Sequence, residues 1–301
     1  MPNDSNVPWT AIILAAGEGT RMKSSRPKVL HEIAGRSLVG WVVGAALEAG
    51  ASRCIVVVGH QRDEVERELE QHFGDRVETA LQSERRGTGD AVRCAMESSD
   101  DLRGRVTVLY GDCPLIPSGL VHELVSQTDA HDAACGLITS TLADPTAYGR
   151  IVRDDDGQVQ RIVEHRDCTE DELAIHEVNP GLYTFDVEFL RNAIGQLSPD
   201  NAQGQLYLTD VVQLAAERGR VVDMRAEMRD LQGVNDQKDL AEAFATRRRR
   251  IAEDLARSGV AIADLDAVYV DAECEVEPGA RLGANVHLRG RCVVRAGAHV
   301  D

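Results

Sequence analysis

Two cations follow a glycine-rich turn: in LAAGEGTRMKSSRPK, residues 14–28, Arg21 and Lys28 come after Gly17 and Gly19. Glycines let backbone N–H groups approach phosphate oxygens closely; a planar guanidinium bridges two such oxygens and an ammonium adds a compact charge. Polyphosphate binding is the chemistry these types suggest. Two familiar loops are excluded. The chain has no Gly-Lys pair, which a P-loop needs, and Met22 stands where the dinucleotide fingerprint needs its third glycine. G-x-G alone could be only a tight turn, so the reading rests on the neighbours Thr20, Arg21, Pro27 and Lys28. Lysine occurs only at Lys23, Lys28 and Lys238, which singles out this loop. A second candidate is Asp112 in LYGDCPL. It lies just beyond the apolar run VTVLY, at the carboxyl end of a strand, where open α/β sheets bind ligands. By itself it reads equally as a turn residue before Pro114.

These residues need strands to carry them. Apolar runs at 9–15, 54–59, 106–111 and 133–140 alternate with amphipathic stretches at 38–49, 61–72, 89–98 and 118–127. The alternation predicts βαβ units, hence an α/β fold with a doubly wound, mainly parallel sheet. From Gly149 the pattern changes: GRIVRDDDGQVQRIVEH predicts a hairpin about DDDG, and HEVNPGLYTFD another strand, as an antiparallel insertion. Residues 205–219 predict a helix, as do 236–258, whose RRRR at 247–250 reads as a solvated face with acidic neighbours. The last segment repeats every six residues: Val270, Val276, Leu282, Leu288, Val294 and Val300, with Val268, Cys274, Ala280, Val286, Cys292 and Ala298 two residues before each. That period marks a hexapeptide β-helix. With the elements before it, this predicts three parts: an α/β domain over 1–236, a helical linker over 237–259 and a truncated β-helix over 260–301.

Bulk properties narrow the partners. Thirty-three basic against 50 acidic residues give a net charge of −17, which disfavours nucleic acid and anionic membranes. No apolar run approaches a membrane span, and MPNDSNVPWT lacks the regions of a signal peptide. Seven scattered cysteines without a C-x-x-C pair read as reduced thiols, so a cytoplasmic location is expected.

The signature G-x-G-T-R-[ML]…P-K resembles that of the sugar-phosphate nucleotidyltransferases. More closely, the chain is similar to the bacterial bifunctional N-acetylglucosamine-1-phosphate uridyltransferase / glucosamine-1-phosphate N-acetyltransferase family. LQSERRGTGDA (81–91), LYGDCPL (109–115), AYGRIV (147–152), IVEH (162–165), EVNPG (177–181), NAQGQLYLTD (201–210) and GVND (233–236) carry the likeness in order. It implies a nucleotide-diphospho-sugar transferase fold followed by the start of a left-handed parallel β-helix. Leu14, Ala15, Ala16 and Gly17 would run beneath uridine and phosphates. Gln82 would read the uracil edge, with Gly87 and Thr88 allowing close backbone approach. Tyr110, Gly111 and Asp112 would stand beside ribose and metal; Gly149, Glu164 and Asn179 would bind the N-acetylhexosamine. Asn235 would join Asp112 at Mg²⁺, which typically takes one or two protein oxygens plus phosphates.

The activity so implied is uridylyl transfer from UTP to N-acetylglucosamine-1-phosphate, giving a peptidoglycan precursor for cell-wall biogenesis, with Arg21 and Lys28 neutralising charge. The substrate phosphate is already largely anionic near neutrality, so no general base is expected, and His31 and His165 receive no role. Another nucleotide or sugar, or a non-catalytic interaction module of the same architecture, are the alternatives. Pro180 stands where the family usually has threonine, which bears on the sugar. Arg85 and Arg86 could touch phosphates, but solvent is the expectation for both. The short repeat segment implies no acetyl transfer by these residues, and a homotrimer by analogy, weakly held.

Overall fold

Residues Trp9–Leu14, WTAIIL, form a strand, β1, whose two faces are both apolar. Ala11 and Ile13 join one buried cluster and Ile12 joins another, so β1 must have cover on both sides. A computed structural model describes residues 7–59 and 61–301; residues 1–6 of the stretch read above for a targeting signal lie outside these. After β1 come the hairpin β2 (Glu32–Ile33) and β3 (Arg36–Ser37), then α1 (Leu38–Glu48), β4 (Arg53–Val58), α2 (Arg62–Phe73) and β5 (Val77–Leu81). Next are α3 (Thr88–Glu97), β6 (Arg105–Tyr110), α4 (Ser118–Ala130) and β7 (Cys135–Thr141). They are followed by β8 (Gly149–Arg153), β9 (Val159–Val163), α5 (Glu170–Leu173), β10 (Glu177–Asn179) and β11 (Tyr183–Asp186). Three helices, α6 (Val187–Ile194), α7 (Thr209–Ala216) and α8 (Gln237–Arg257), enclose β12 (Val221–Arg225) in chain order.

The strands build a mixed sheet in the order β5-β4-β1-β6-β11-β7-β10-β8-β9, with β12 also paired to β7. Strands β5, β4, β1 and β6 are parallel neighbours. Apolar residues of α1, α2 and α4 cover one face; those of α3, α6 and α7 cover the other. The expected strand over 176–186 lies along one edge of β7 as two pieces, β10 and β11. Between them Pro180 has no N–H to give the ladder, and Gly181 takes a left-handed φ of 91°. The sheet forks there: β10 pairs outward with β8, while β11 pairs with β6.

Two expectations need correcting. The helix expected over 205–219 begins only at Thr209. Gln205–Leu208 instead cross the start of α3, where the Gly89 N–H donates to the Leu206 carbonyl at 2.8 Å and the Leu206 N–H to that of Arg86 at 2.6 Å. The arginine run on α8 is a solvated face only in part. Arg247 stacks 4.0 Å from the Trp41 ring centroid and Arg250 donates to the Leu115 carbonyl at 2.7 Å. Arg248 lies 4.8 Å from the Tyr269 ring centroid and Arg249 reaches Asp266 at 2.6 Å.

After α8 come seven two-residue strands: β13 (Ala261–Ile262), β14 (Tyr269–Val270), β15 (Glu275–Val276), β16 (Arg281–Leu282), β17 (His287–Leu288), β18 (Val293–Val294) and β19 (His299–Val300). They pair in parallel as β13-β16-β19, β14-β17 and β15-β18, three short sheets built by one winding chain. Val268, Val270, Ala280, Leu282, Val286, Leu288 and Val294 are buried between them, as the six-residue period requires. Ile251 and Leu255 of α8 pack on the same cluster. The hairpin β2-β3 also meets this segment: Ala272 donates to the Ala34 carbonyl at 2.9 Å, and Arg36 pairs with Glu273 at 2.7 Å.

Candidate active site

At the carboxyl end of β1 the chain turns under tight constraint. Ala15 N–H donates to the Val57 carbonyl and Gly111 N–H to that of Leu14, each at 2.9 Å, so the loop is hung from both neighbouring strands. Gly19 has φ 63°, and a Cβ there would lie 2.5 Å from the Lys28 Cβ; glycine is what lets Lys28 fold back across the turn. A Cβ on Gly17 would meet nothing within 4 Å and would occupy open space above the loop.

Lys28 reaches the end of β6. Its ammonium pairs with the Asp112 carboxylate and lies 3.4 Å from Asn235 Oδ1, which also accepts from Arg21 at 2.9 Å. Asp112 and Asn235 come from distant segments, but the Val234 N–H donates to the Asp112 carbonyl at 2.8 Å and locks the two loops together. Asp239 accepts from the Asn235 N–H at 2.9 Å and orients it. Gly233 leaves room beside the acid: a Cβ there would stand 3.2 Å from Asp112 Oδ1. One ammonium thus bridges an anionic and a neutral oxygen, the place and donor set a hard cation with phosphate ligands would use. Among the described residues no group of three or more His, Cys, Asp or Glu could hold a metal by itself.

Beside this cluster lies a pocket of about 290 Å³, lined by Leu14, Ala15, Ala16, Gly17, Lys28, Gln82, Arg85, Gly87, Thr88, Tyr110, Asp112 and Gln205, among others. Gln82 is buried with its amide nitrogen committed to the Gly87 carbonyl at 3.1 Å and the Asp90 carboxylate at 2.8 Å. Gly87 takes φ 112°, and a Cβ would be 2.4 Å from the Leu206 carbonyl oxygen. Thr88 accepts the Leu208 N–H at 3.1 Å, which fastens the 205–208 segment over the pocket. Burial and the neighbours Glu164 and Asp112 push the Tyr110 phenol well up, so it remains an O–H donor. A larger cavity, about 520 Å³, lies between the β8-β9 turn and α7, and none of the sequence-derived residues lines it.

Gly149, Glu164 and Asn179 form a row. Asn179 pairs with Gly149, and Val163 pairs with Arg150, so Glu164 comes next to Gly149 on its other side. They do not line the 290 Å³ pocket; Tyr110 stands between, its ring so close to Gly181 that a Cβ there would lie 2.0 Å away. Asn179 donates to the Tyr183 hydroxyl at 2.6 Å and accepts from Gly181 N–H at 3.0 Å. Burial raises the Glu164 carboxyl above its ordinary value, Thr209 at 3.1 Å partly offsets this, and Asp167 and Asp210 add to the rise. Burial, then Arg26, lowers the His31 pKa below its ordinary value; His165 contacts Arg150. Neither lines the pocket.

Sequence reasoning missed Asp90, which orients Gln82, Thr209, which bonds Glu164, and Gln205 in the pocket wall. Arg85 and Arg86 are both exposed, as expected; Arg86 pairs locally with Glu84, while Arg85 also borders the pocket and pairs with Glu18 of the glycine-rich loop. Only the position of Arg85 two residues before Gly87 could have signalled this.

Residues 11–169 match the family described as the MobA-like NTP transferase domain. The bifunctional protein GlmU of Sorangium cellulosum is 49% identical over 299 residues, 98% of this chain and 63% of that protein. That of Cutibacterium acnes is 41% identical over 297 residues, 96% of this chain and 71% of its own length. The chain therefore spans less than two thirds of the Sorangium protein. A solved UDP-glucose pyrophosphorylase, complexed with UDP-glucose, superposes with a TM-score of 0.64 at 17% identity, over 81% of this chain and 99% of that one. Likeness at that identity concerns the fold. No helix among the described residues is long and apolar enough to cross a membrane.

Proposed function

We propose a reaction for a chain that belongs to the bifunctional GlmU family, through its MobA-like NTP transferase domain. It transfers the uridylyl group of UTP to N-acetylglucosamine-1-phosphate, giving UDP-N-acetylglucosamine, a cell-wall precursor, and pyrophosphate. The observation that carries the reading is the convergence of Arg21, Lys28, Asp112 and Asn235 beside the Gln82 pocket. A phosphate oxygen of the sugar phosphate attacks the α-phosphorus of UTP in line, that P–O bond forms, and the bond to pyrophosphate breaks. Arg21 and Lys28 neutralise the triphosphate, and the Ala15–Gly17 backbone holds it against the end of β1. Asp112 and Asn235 would hold Mg²⁺, which when bound supplies positive charge to the phosphates. Lys28 would then leave Asp112 for phosphate. The nucleophile is already anionic near pH ~7, its second ionisation lying near ~6, so no proton need be removed. That fits the absence of either histidine from the pocket lining.

The row Gly149, Glu164 and Asn179 would receive the N-acetylhexosamine beyond Tyr110. Residues 1–236 would carry this chemistry, 237–259 would connect, and 260–301 would be the opening turns of a left-handed parallel β-helix, able to support a homotrimer. These 301 residues alone would transfer no acetyl group. Seven free thiols suit a reducing cytoplasm. A pyrophosphate-release assay over four nucleotides and several sugar phosphates tests the reading. UTP with N-acetylglucosamine-1-phosphate should react fastest, and excess EDTA should stop it. A faster pair of different substrates, or release that ignores the sugar phosphate, would overturn it.

A further inference from the structure

The pocket has few cations to spend on a triphosphate. Lys28 is held by Asp112 and Asn235, and Arg21 by Asn235. The glycine-rich loop itself carries an acid, Glu18, between its two glycines. An anionic side chain there repels phosphate oxygens unless a cation covers it, and Arg85 pairs with it. Arg85 lines the 290 Å³ pocket and also a recess of about 80 Å³ along the same loop, bordered by Ala16, Gly17, Glu18, Pro27 and Gly59. Its guanidinium therefore stands against the backbone that phosphates must approach. The Arg85 and Glu18 side chains are 43% and 56% exposed, and so open an ion pair is worth little and breaks readily.

Building on the uridylyl-transfer reading, we propose that Arg85 is a further nucleotide-binding residue. It is parked on Glu18 in the unliganded protein and moves to the β- and γ-phosphates of the incoming triphosphate. Those two phosphates leave as pyrophosphate, so Arg85 distinguishes UTP and pyrophosphate from the nucleotide-sugar product. Glu18 competes with the phosphates for the guanidinium and so weakens UTP binding. Once pyrophosphate departs, Arg85 returns to the acid. A guanidinium fork fits this exchange because carboxylate and phosphate present the same pair of oxygens.

Calorimetric titration of the full chain with UTP and with UDP-N-acetylglucosamine, both with Mg²⁺, tests this without turnover. Arg85→Ala should weaken UTP about tenfold, the effect of losing one charge-assisted contact, and leave the product's affinity within about twofold. Glu18→Gln should tighten UTP severalfold, and the gain should vanish when combined with Arg85→Ala. Unchanged UTP affinity in Arg85→Ala, or equal weakening of UTP and product, overturns the role of Arg85 while leaving uridylyl transfer standing. A wild-type chain that binds neither UTP nor the product overturns the parent reading and this one with it.

Discussion

The Gln82 amide can present only one of its ends to the pocket. Asp90 is a carboxylate acceptor and the Gly87 carbonyl another, so the NH₂ group must face both, and the oxygen remains for a ligand. Uracil offers a donor at N3 and cytosine an acceptor, so one acceptor on the protein suffices to separate them. Gln82→Ala should lower kcat/KM for UTP by roughly tenfold and narrow the UTP-to-CTP ratio; an unchanged ratio would show that another group reads the base. Glu164 sets a different balance. Its folded pKa is raised by burial and then by Asp167 and Asp210, so the ionised form is costly in the native state above the ordinary glutamate range. Glu164→Gln should therefore raise Tm near pH 7. The gain should fade as pH falls through the raised folded pKa and be gone below the unfolded glutamate pKa, where both states are protonated. The same change should raise KM for the sugar phosphate, because one acceptor becomes a donor. Equal Tm values for both proteins at neutral pH would remove the strain argument.

Elements explain why these side chains meet. The segment Gln205–Leu208 is held over the pocket by the start of α3, and Gly87 is the point of closest approach. Gly87→Ala would place a methyl at a left-handed φ and against a carbonyl oxygen at once. A loss of about 1–3 kcal/mol in urea unfolding is expected, with a raised KM for UTP; a fully stable variant would mean that the 205–208 segment moves freely. The strands β1, β4, β6 and β7 were legible because apolar runs bounded by turns leave few other options. The six-residue period was legible because six aliphatics stay in phase. The start of α7 was not: Tyr207 and Leu208 are apolar and fit a helical pattern, yet tertiary bonds to Arg86 and Gly89 take the Leu206 backbone. The bulge at Pro180–Gly181 showed in sequence as a lost hydroxyl, but its role as the fork of the sheet needs strand pairing to be seen. For the site, the loop cations and Asp112 followed from residue chemistry, and Asn235, Gln82, Glu164 and Asn179 from family likeness. Arg85, Asp90 and Thr209 act through neighbours distant in sequence or facing across a helix turn, which spacing alone does not reveal.

At the scale of the whole molecule, α8 joins the sheet to the winding C-terminal segment, and its four arginines divide the work by helical geometry. Arg247 and Arg250, three residues apart, share one face. They hold the Pro114 and Leu115 carbonyls, two and three residues after Asp112, and Arg250 also pairs with Asp230. Arg248 and Arg249 point instead to Tyr269 and Asp266 at the first turns beyond α8. The turn that carries Asp112 is thus braced from behind by α8. Arg247 is the more buried of the two on that face: burial, then Arg250 and Arg36, lower its pKa to about 10, and it stays charged at neutral pH. Removing Arg250 would leave the Leu115 carbonyl unsatisfied and Asp230 with only the exposed Arg229 at 3.6 Å. Arg250→Ala should therefore cost about 2 kcal/mol in urea unfolding. It should also lower kcat about tenfold, as Asp112 loses its fixed position relative to Lys28 and Asn235. Arg249→Ala removes only exposed pairs with Asp266 and Glu253, so its stability and kcat should stay close to wild type. Comparable losses from both substitutions would show α8 to be a uniform brace, and the division between its faces would have no functional meaning.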